Sequence, residues 1–179
     1  EEAAVLLVDG GAGLGRGRSL QGGGAVRLGR RDRLEQGHRL MAKWLFKSEP
    51  DVWGWDAQVA KGDAGEEWNG VRNYQARNNM RTMAVGDLGF FYHSRSGLEI
   101  VGIVEVCATS HPDSTTDDER WDCVDIKAVR PFVQPVTLAQ IKTDPRLENM
   151  ALVKSSRLSV QPVTEAEWDI VCALGKTKP

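Results

Sequence analysis

Four short stretches of this chain concentrate side chains able to bind or react. The densest is Trp68-Asn69-Gly70-Val71-Arg72-Asn73-Tyr74-Gln75-Ala76-Arg77-Asn78, with a large aromatic, a glycine and seven polar side chains in eleven residues. A pocket for a flat polar ring such as a nucleobase needs that mixture, because π-faces hold the ring while amides or a guanidinium meet its edge. The same residues also fit a plainer role, in which Arg72 pairs with an acid and Trp68 fills the core. For the cluster as a whole, Arg72, Asn73, Gln75, Arg77, Asn78 and Asn79 exceed what capping and solvation require.

The second stretch is Lys47-Ser48-Glu49-Pro50, at the end of an apolar strand. Strand ends are where binding loops gather, so a charged pair there would line a cleft; the alternative is a surface ion pair of small energy. The third is Phe91-Tyr92-His93-Ser94, an apolar strand ending in three hydrogen-bonding side chains. Pocket lining suits His93 better than catalysis. The fourth is Ser155-Ser156-Arg157-Leu158-Ser159, polar groups bracketed by Leu152, Val153, Leu158 and Val160. Cys107 and His111 are followed by Cys123, but no fourth ligand is well placed, so no metal is expected. There is no G-x-S-x-G elbow to support a serine nucleophile. No cofactor is expected either.

The elements that must position these groups follow from pattern. Residues 44–49 read as a first strand stopped by Pro50, and 52–60 as a short helix ended by Gly62. Asn69 is the expected cap of a helix over 71–83. Strands are expected at 88–93, 99–107 and 121–129, rich in Val, Ile and aromatics, with 108–120 a polar loop. Thr137-Leu138-Ala139-Gln140 and Thr164-Glu165-Ala166-Glu167 are capping boxes. The second starts a terminal helix with Trp168, Val171 and Cys172 on one face. Residues 155–162 read as extended. The sum is an α+β domain with a mostly antiparallel sheet and short peripheral helices.

Composition divides the chain. Residues 1–40 hold 10 of the 19 glycines and seven arginines, with no lysine and no aromatic residue. Such a segment cannot bury enough apolar area to offset its ordering entropy, so 1–40 is expected to be a disordered Gly/Arg-rich extension outside the native fold. Met41, at the composition break, is the expected natural start of a domain over 41–179. Val5 to Gly15 imitates a strand entering a dinucleotide loop, but no register completes G-x-G-x-x-G. The body carries 16 basic and 20 acidic residues, which argues against broad phosphate tracking but not against a pocket for one base. Three cysteines in apolar segments point to reduced thiols and a cytoplasmic protein. No apolar run reaches about 18 residues, so no membrane is expected.

Together these stretches resemble the EVE domain, a member of the PUA-like superfamily. The resemblance rests on Trp44 to Pro50, Trp68 to Asn78, Gly86-Asp87, Phe91 to Ser94, Gly102 to Val106, Leu152-Val153 and Ser156 to Val163, spanning 42–174 in one order. It implies a pseudo-barrel of five or six strands and a pocket for a flipped base. Carried over by position, the ligand-binding residues are Lys47, Ser48, Glu49, Trp68, Val71, Arg72, Asn73, Tyr92, His93, Ser94, Arg157, Leu158 and Ser159. The expected function is a non-enzymatic reader of a modified base, foremost a modified cytosine, in DNA or RNA, acting as a monomer. Trp68 or Tyr92 would stack the base, Asn73 and Ser48 would meet its edge, and Arg72, Arg157 and Lys47 would face phosphate. The alternatives are a small hydrolase on a modified nucleoside, by analogy with the related ASCH scaffold and with Lys47 and Glu49 as its pair, or a protein-interaction module.

Overall fold

The computed structural model describes residues 39–179; the expectations placed on 1–38, including the disordered extension and the incomplete dinucleotide loop, lie outside them. Six strands form one mixed sheet: β1 (Lys43–Ser48), β2 (Glu66–Glu67), β3 (Leu88–His93), β4 (Glu99–Pro112), β5 (Asp122–Thr137) and β6 (Val160–Val163). Their order is β2-β5-β4-β3-β1-β6, and β1 and β3 alone run parallel. The sheet is open, with β2 and β6 at its edges. Five short helices surround it: α1 (Trp55–Ala60), α2 (Tyr74–Arg81), α3 (Leu138–Thr143), α4 (Ala151–Lys154) and α5 (Glu165–Leu174). This is the expected α+β, PUA-like architecture. Among the described residues no helix is long and apolar enough to cross a membrane.

Alternation along the strands sorts the core into two layers, because successive side chains point to opposite faces. Leu45, Phe90, Tyr92, Ile100 and Ile103 join Trp168, Val171 and Cys172 of α5 in one layer. Phe90 stacks on Trp168 at 4.0 Å and 9°. Trp44, Phe46, Phe91, Val104, Val124 and Ile126 form the other, with Trp68, Val71, Met80 and Leu158. Beside that layer the buried Asp87 carboxylate is satisfied by the Trp44 indole N–H at 3.2 Å and by the Ala42 and Ala84 amides, each at 3.0 Å.

Several boundaries differ from expectation. β4 and β5 run well into the segment expected as a loop, with His111 opposite Cys123 and Pro112 opposite Asp122. Register shifts along this pair let its polar and proline residues stay in strand geometry, so only 113–121 connects the two. α2 begins at Tyr74 and is capped by Asn73, whose side chain accepts from the Ala76 N–H at 2.9 Å; Asn69 is not the cap. Asn69 precedes Gly70, whose φ of +74° turns the chain before the helix can start. α1 starts at Trp55 because Glu49 first closes a turn, its carbonyl accepting from Val52 and Trp53. Residues 155–159 turn rather than extend, with the Leu158 N–H donating to Ser155 O at 3.1 Å. Both capping boxes are present as expected.

Candidate functional site

The Trp68–Asn73 segment is fixed from below and from one side. Trp68 is 8% exposed, with Phe46 and Phe91 edge-on to its ring at 5.3 and 5.6 Å. Its backbone N–H donates to Val124 O at 2.7 Å. Arg72 donates to the Asp113 carboxylate at 2.7 Å, to Val71 O at 3.0 Å and to the Thr115 hydroxyl at 3.2 Å. Asp113 also accepts the Gly70 N–H at 2.8 Å. Burial alone would raise the Asp113 pKa, but hydrogen bonds from Thr115, Arg72 and Gly70 outweigh it and hold the carboxyl at about 2. The plainer roles of Arg72 and Trp68 are thus realised, without removing the segment from the site.

The 155–159 turn is held by its carbonyls. Lys47 Nζ donates to Ser156 O and the Lys47 backbone N–H to Ser159 O, both at 2.9 Å. Burial keeps the Lys47 ammonium pKa below the usual lysine value. The buried Gln161 side chain donates to Ser155 O at 3.1 Å and Leu158 O at 2.9 Å. With its backbone tied down, this turn faces α2 across a cleft of about 330 Å³ lined by Asn73, Gln75, Lys154, Ser155, Ser156, Arg157 and Leu158. That volume is at the small end of the roughly 300–1,000 Å³ typical of ligand sites. Val71, Trp68 and Leu158 share the apolar layer beneath it.

A second cleft, of about 410 Å³, is lined by Pro50, Gly54, Trp55, Asp56, Ala57, His93, Glu99 and Val101. The Trp55 ring lies directly against Gly102, where a Cβ would fall 2.3 Å from it. The Trp55 backbone N–H donates to His93 Nε2 at 3.1 Å, so that nitrogen carries no proton. Burial lowers the His93 pKa, against the opposing pull of Glu99 and Asp56.

The expected site residues therefore separate. Asn73, Arg157 and Leu158 line the first cleft, Lys47 holds the turn beside it through the Ser156 and Ser159 carbonyls, Trp68 and Val71 share the apolar layer with Leu158, and Arg72 is tied to Asp113 and Thr115. Ser48 and His93 are register partners, and Ser48 O accepts the Ser94 N–H at 2.8 Å. His93 lines the second cleft. Glu49 pairs with Arg95 at 3.0 Å and not with Lys47. Tyr92 lies in the opposite core layer from Trp68, 2% exposed, so it offers no ring face beside Trp68; one-residue alternation along β3 sends it there while His93 goes the other way. Burial raises its phenol pKa.

Sequence reasoning overlooked two contributors, Asp113 and Trp121. Asp113 sat in a segment expected only as a loop. Trp121 stacks with Tyr74 at 5.0 Å, and the Arg72 and Arg77 guanidinium groups lie 5.6 and 5.9 Å from the Trp121 ring. The His111-Pro112-Asp113 run was the one local signal for Asp113, and nothing local signals Trp121.

The EVE domain model matches residues 42–174. The chain belongs to the EVE domain family. Thymocyte nuclear protein 1 of Gallus gallus is 36% identical over 168 residues, covering 76% of this chain and 69% of that protein. Among solved structures, a protein of Agrobacterium tumefaciens is 64% identical with a TM-score of 0.75, over 76% of this chain and 94% of that one. The human THYN1 protein, solved in complex with DNA containing 5-methylcytosine, is 33% identical with a TM-score of 0.69, over 77% of this chain and 99% of that one.

Proposed function

We propose that this EVE domain is a DNA-binding reader of a modified cytosine, held out of the base stack in the cleft between α2 and the 155–159 turn. One observation carries this reading. The Ser155, Ser156 and Arg157 side chains and the amide nitrogen of Asn73 border a space of about 330 Å³ without partners among the described residues. A single base edge offers donors and acceptors of that kind. Trp68, Val71 and Leu158 supply the apolar floor, Ser48 and Ser159 polar groups at the strand ends, and Arg157 and Lys47 positive charge for the flanking phosphate. Arg72 acts by holding the loop. Glu49, His93 and Ser94 border the neighbouring strand ends, and Tyr92 packs the opposite layer.

The human relative's complex with methylated DNA supports DNA over RNA as the partner. The three free cysteines support the reduced, cytoplasmic setting, and we take the domain to act as a monomer. Stacking contributes roughly 1–3 kcal/mol per base and extruding a paired base costs a few kcal/mol, so one small pocket binds duplex DNA weakly. The test is NMR titration with matched oligonucleotides carrying 5-methylcytosine or plain cytosine. The methylated strand should bind more tightly and shift signals of Trp68, Asn73 and Arg157. No shift, or equal binding of both strands, overturns the proposal.

A further inference from the structure

The β4–β5 hairpin and the short strand β2 bring together three metal-ligand types, none of which lines the cleft between α2 and the 155–159 turn. His111 and Cys123 are directly opposed on β4 and β5, and Glu67 of β2 is opposed to Asp125, two residues beyond Cys123. Cross-strand partners and residues two apart share a face, so all four side chains project together. A nitrogen of His111, the Cys123 sulfur and a Glu67 oxygen lie within 4.8 Å of one another. Cys123 Sγ is 3.6 Å from His111 Nδ1 and 3.8 Å from Nε2. Zinc bonds of about 2.3 Å to sulfur and 2.0 Å to nitrogen at a tetrahedral angle put those two atoms about 3.5 Å apart.

The surroundings suit a cation. His111 Nε2 is 2.8 Å from Asp125 Oδ1, the back-side carboxylate contact that orients a ligating imidazole and leaves Nδ1 to the ion. Glu67, Asp113, Asp125 and Asp122 all place negative charge around the Cys123 sulfur. Glu67 directly across from Asp125 is an unfavourable like-charge pair that a divalent ion relieves. Arg72 lies on Asp113 and Arg81 on Asp122, so Glu67 and Asp125 have His111 as their nearby positive partner in this cluster. Glu67 is held by the Ser114 hydroxyl.

We propose that Glu67, His111 and Cys123 form a divalent-metal site selective for zinc-like ions, with Asp125 positioning His111 and a fourth position open to water. On binding, the Cys123 thiol and the Nδ1–H of His111 each release a proton to solvent as the sulfur–metal and nitrogen–metal bonds form. Nδ1 gives up its 3.1 Å contact with Pro112 O for the ion. Cys107 takes no part: its sulfur lies against Gly65, where a Cβ would meet it at 2.6 Å.

Cobalt(II) titration of metal-free full-length protein tests this. One equivalent should bind, giving a thiolate-to-cobalt charge-transfer band and tetrahedral d–d bands, with zinc displacing them. Cys107→Ser should retain the bands, and Cys123→Ser and His111→Gln should lose them. Asp125→Asn should weaken binding roughly 10–100-fold. His111 and Glu67 are partly exposed, so His111→Gln and Glu67→Gln decide the matter if Cys123→Ser does not fold. Absence of the bands in the wild-type protein, or their persistence in His111→Gln, overturns the site.

Discussion

The segment at 68–79 and the turn at 155–159 carry a similar density of polar residues, yet they use them in opposite ways. In the first, Arg72 is bound to Asp113 and Thr115, the Asn73 oxygen caps α2, Arg77 donates to Arg120 O, and Asn79 donates to Val160 O. In the second, Lys47 and Gln161 hold the backbone carbonyls, and Ser155, Ser156 and Arg157 line the cleft with side chains that have no partner among the described residues. Polar density in sequence is therefore not the same as available binding capacity. The first segment is chiefly a frame. The second, in the proposed reading, is chiefly a contact surface.

The largest effect that tests this contrast is Trp68→Ala. If Trp68 is framework, its loss should cost about 3–5 kcal/mol in urea unfolding. A cost below about 1 kcal/mol would instead make it a ligand-facing ring. Asp113→Asn comes next. It removes the charge that holds Arg72 and weakens the Gly70 contact, so about 1–3 kcal/mol of stability should go, and DNA affinity with it.

Arg157→Ala should behave in the opposite sense. Stability should stay within about 0.5 kcal/mol of the parent. Affinity for methylated DNA, followed by fluorescence anisotropy, should fall about tenfold, equivalent to ~1.4 kcal/mol. A large loss of stability in this variant would erase the distinction between frame and surface.

The smallest effect concerns the second cleft. His93 accepts a hydrogen bond at Nε2 and its pKa lies below the ordinary 6.5. The unfolded chain therefore binds the proton more readily than the folded one. The associated stability is fully present above about pH 6.5 and is lost as the pH falls through the folded-state value. Thermal unfolding of the parent should show this slope, and His93→Gln should flatten it.

Local signals made much of this legible. Trp168, Val171 and Cys172 share a face at helical spacing, and both capping boxes occur where Thr is followed by Gln or Glu three residues on. The strands at 43–48 and 88–93 followed from runs of apolar and aromatic residues. The long hairpin was less legible, because polar residues 108–112 look like a loop until opposed to Asp122 and Cys123. The capping role of Asn73 is not legible locally, since its neighbour Asn69 offers an equally good capping side chain. Gly70, turning the chain at positive φ, is what decides between them.

Sequence by itself determined the identity of most elements, because periodicity, caps and turns depend on residues within about four positions of each other, and its motifs over 42–174 carried the resemblance to the family. Tertiary structure alone decided how those stretches divide between two clefts and two core layers. Arg72 meets Asp113 across 41 residues, and Tyr92 is separated from His93 by strand alternation. Both outcomes rest on sheet register, and register is settled only when whole strands bury their apolar faces together.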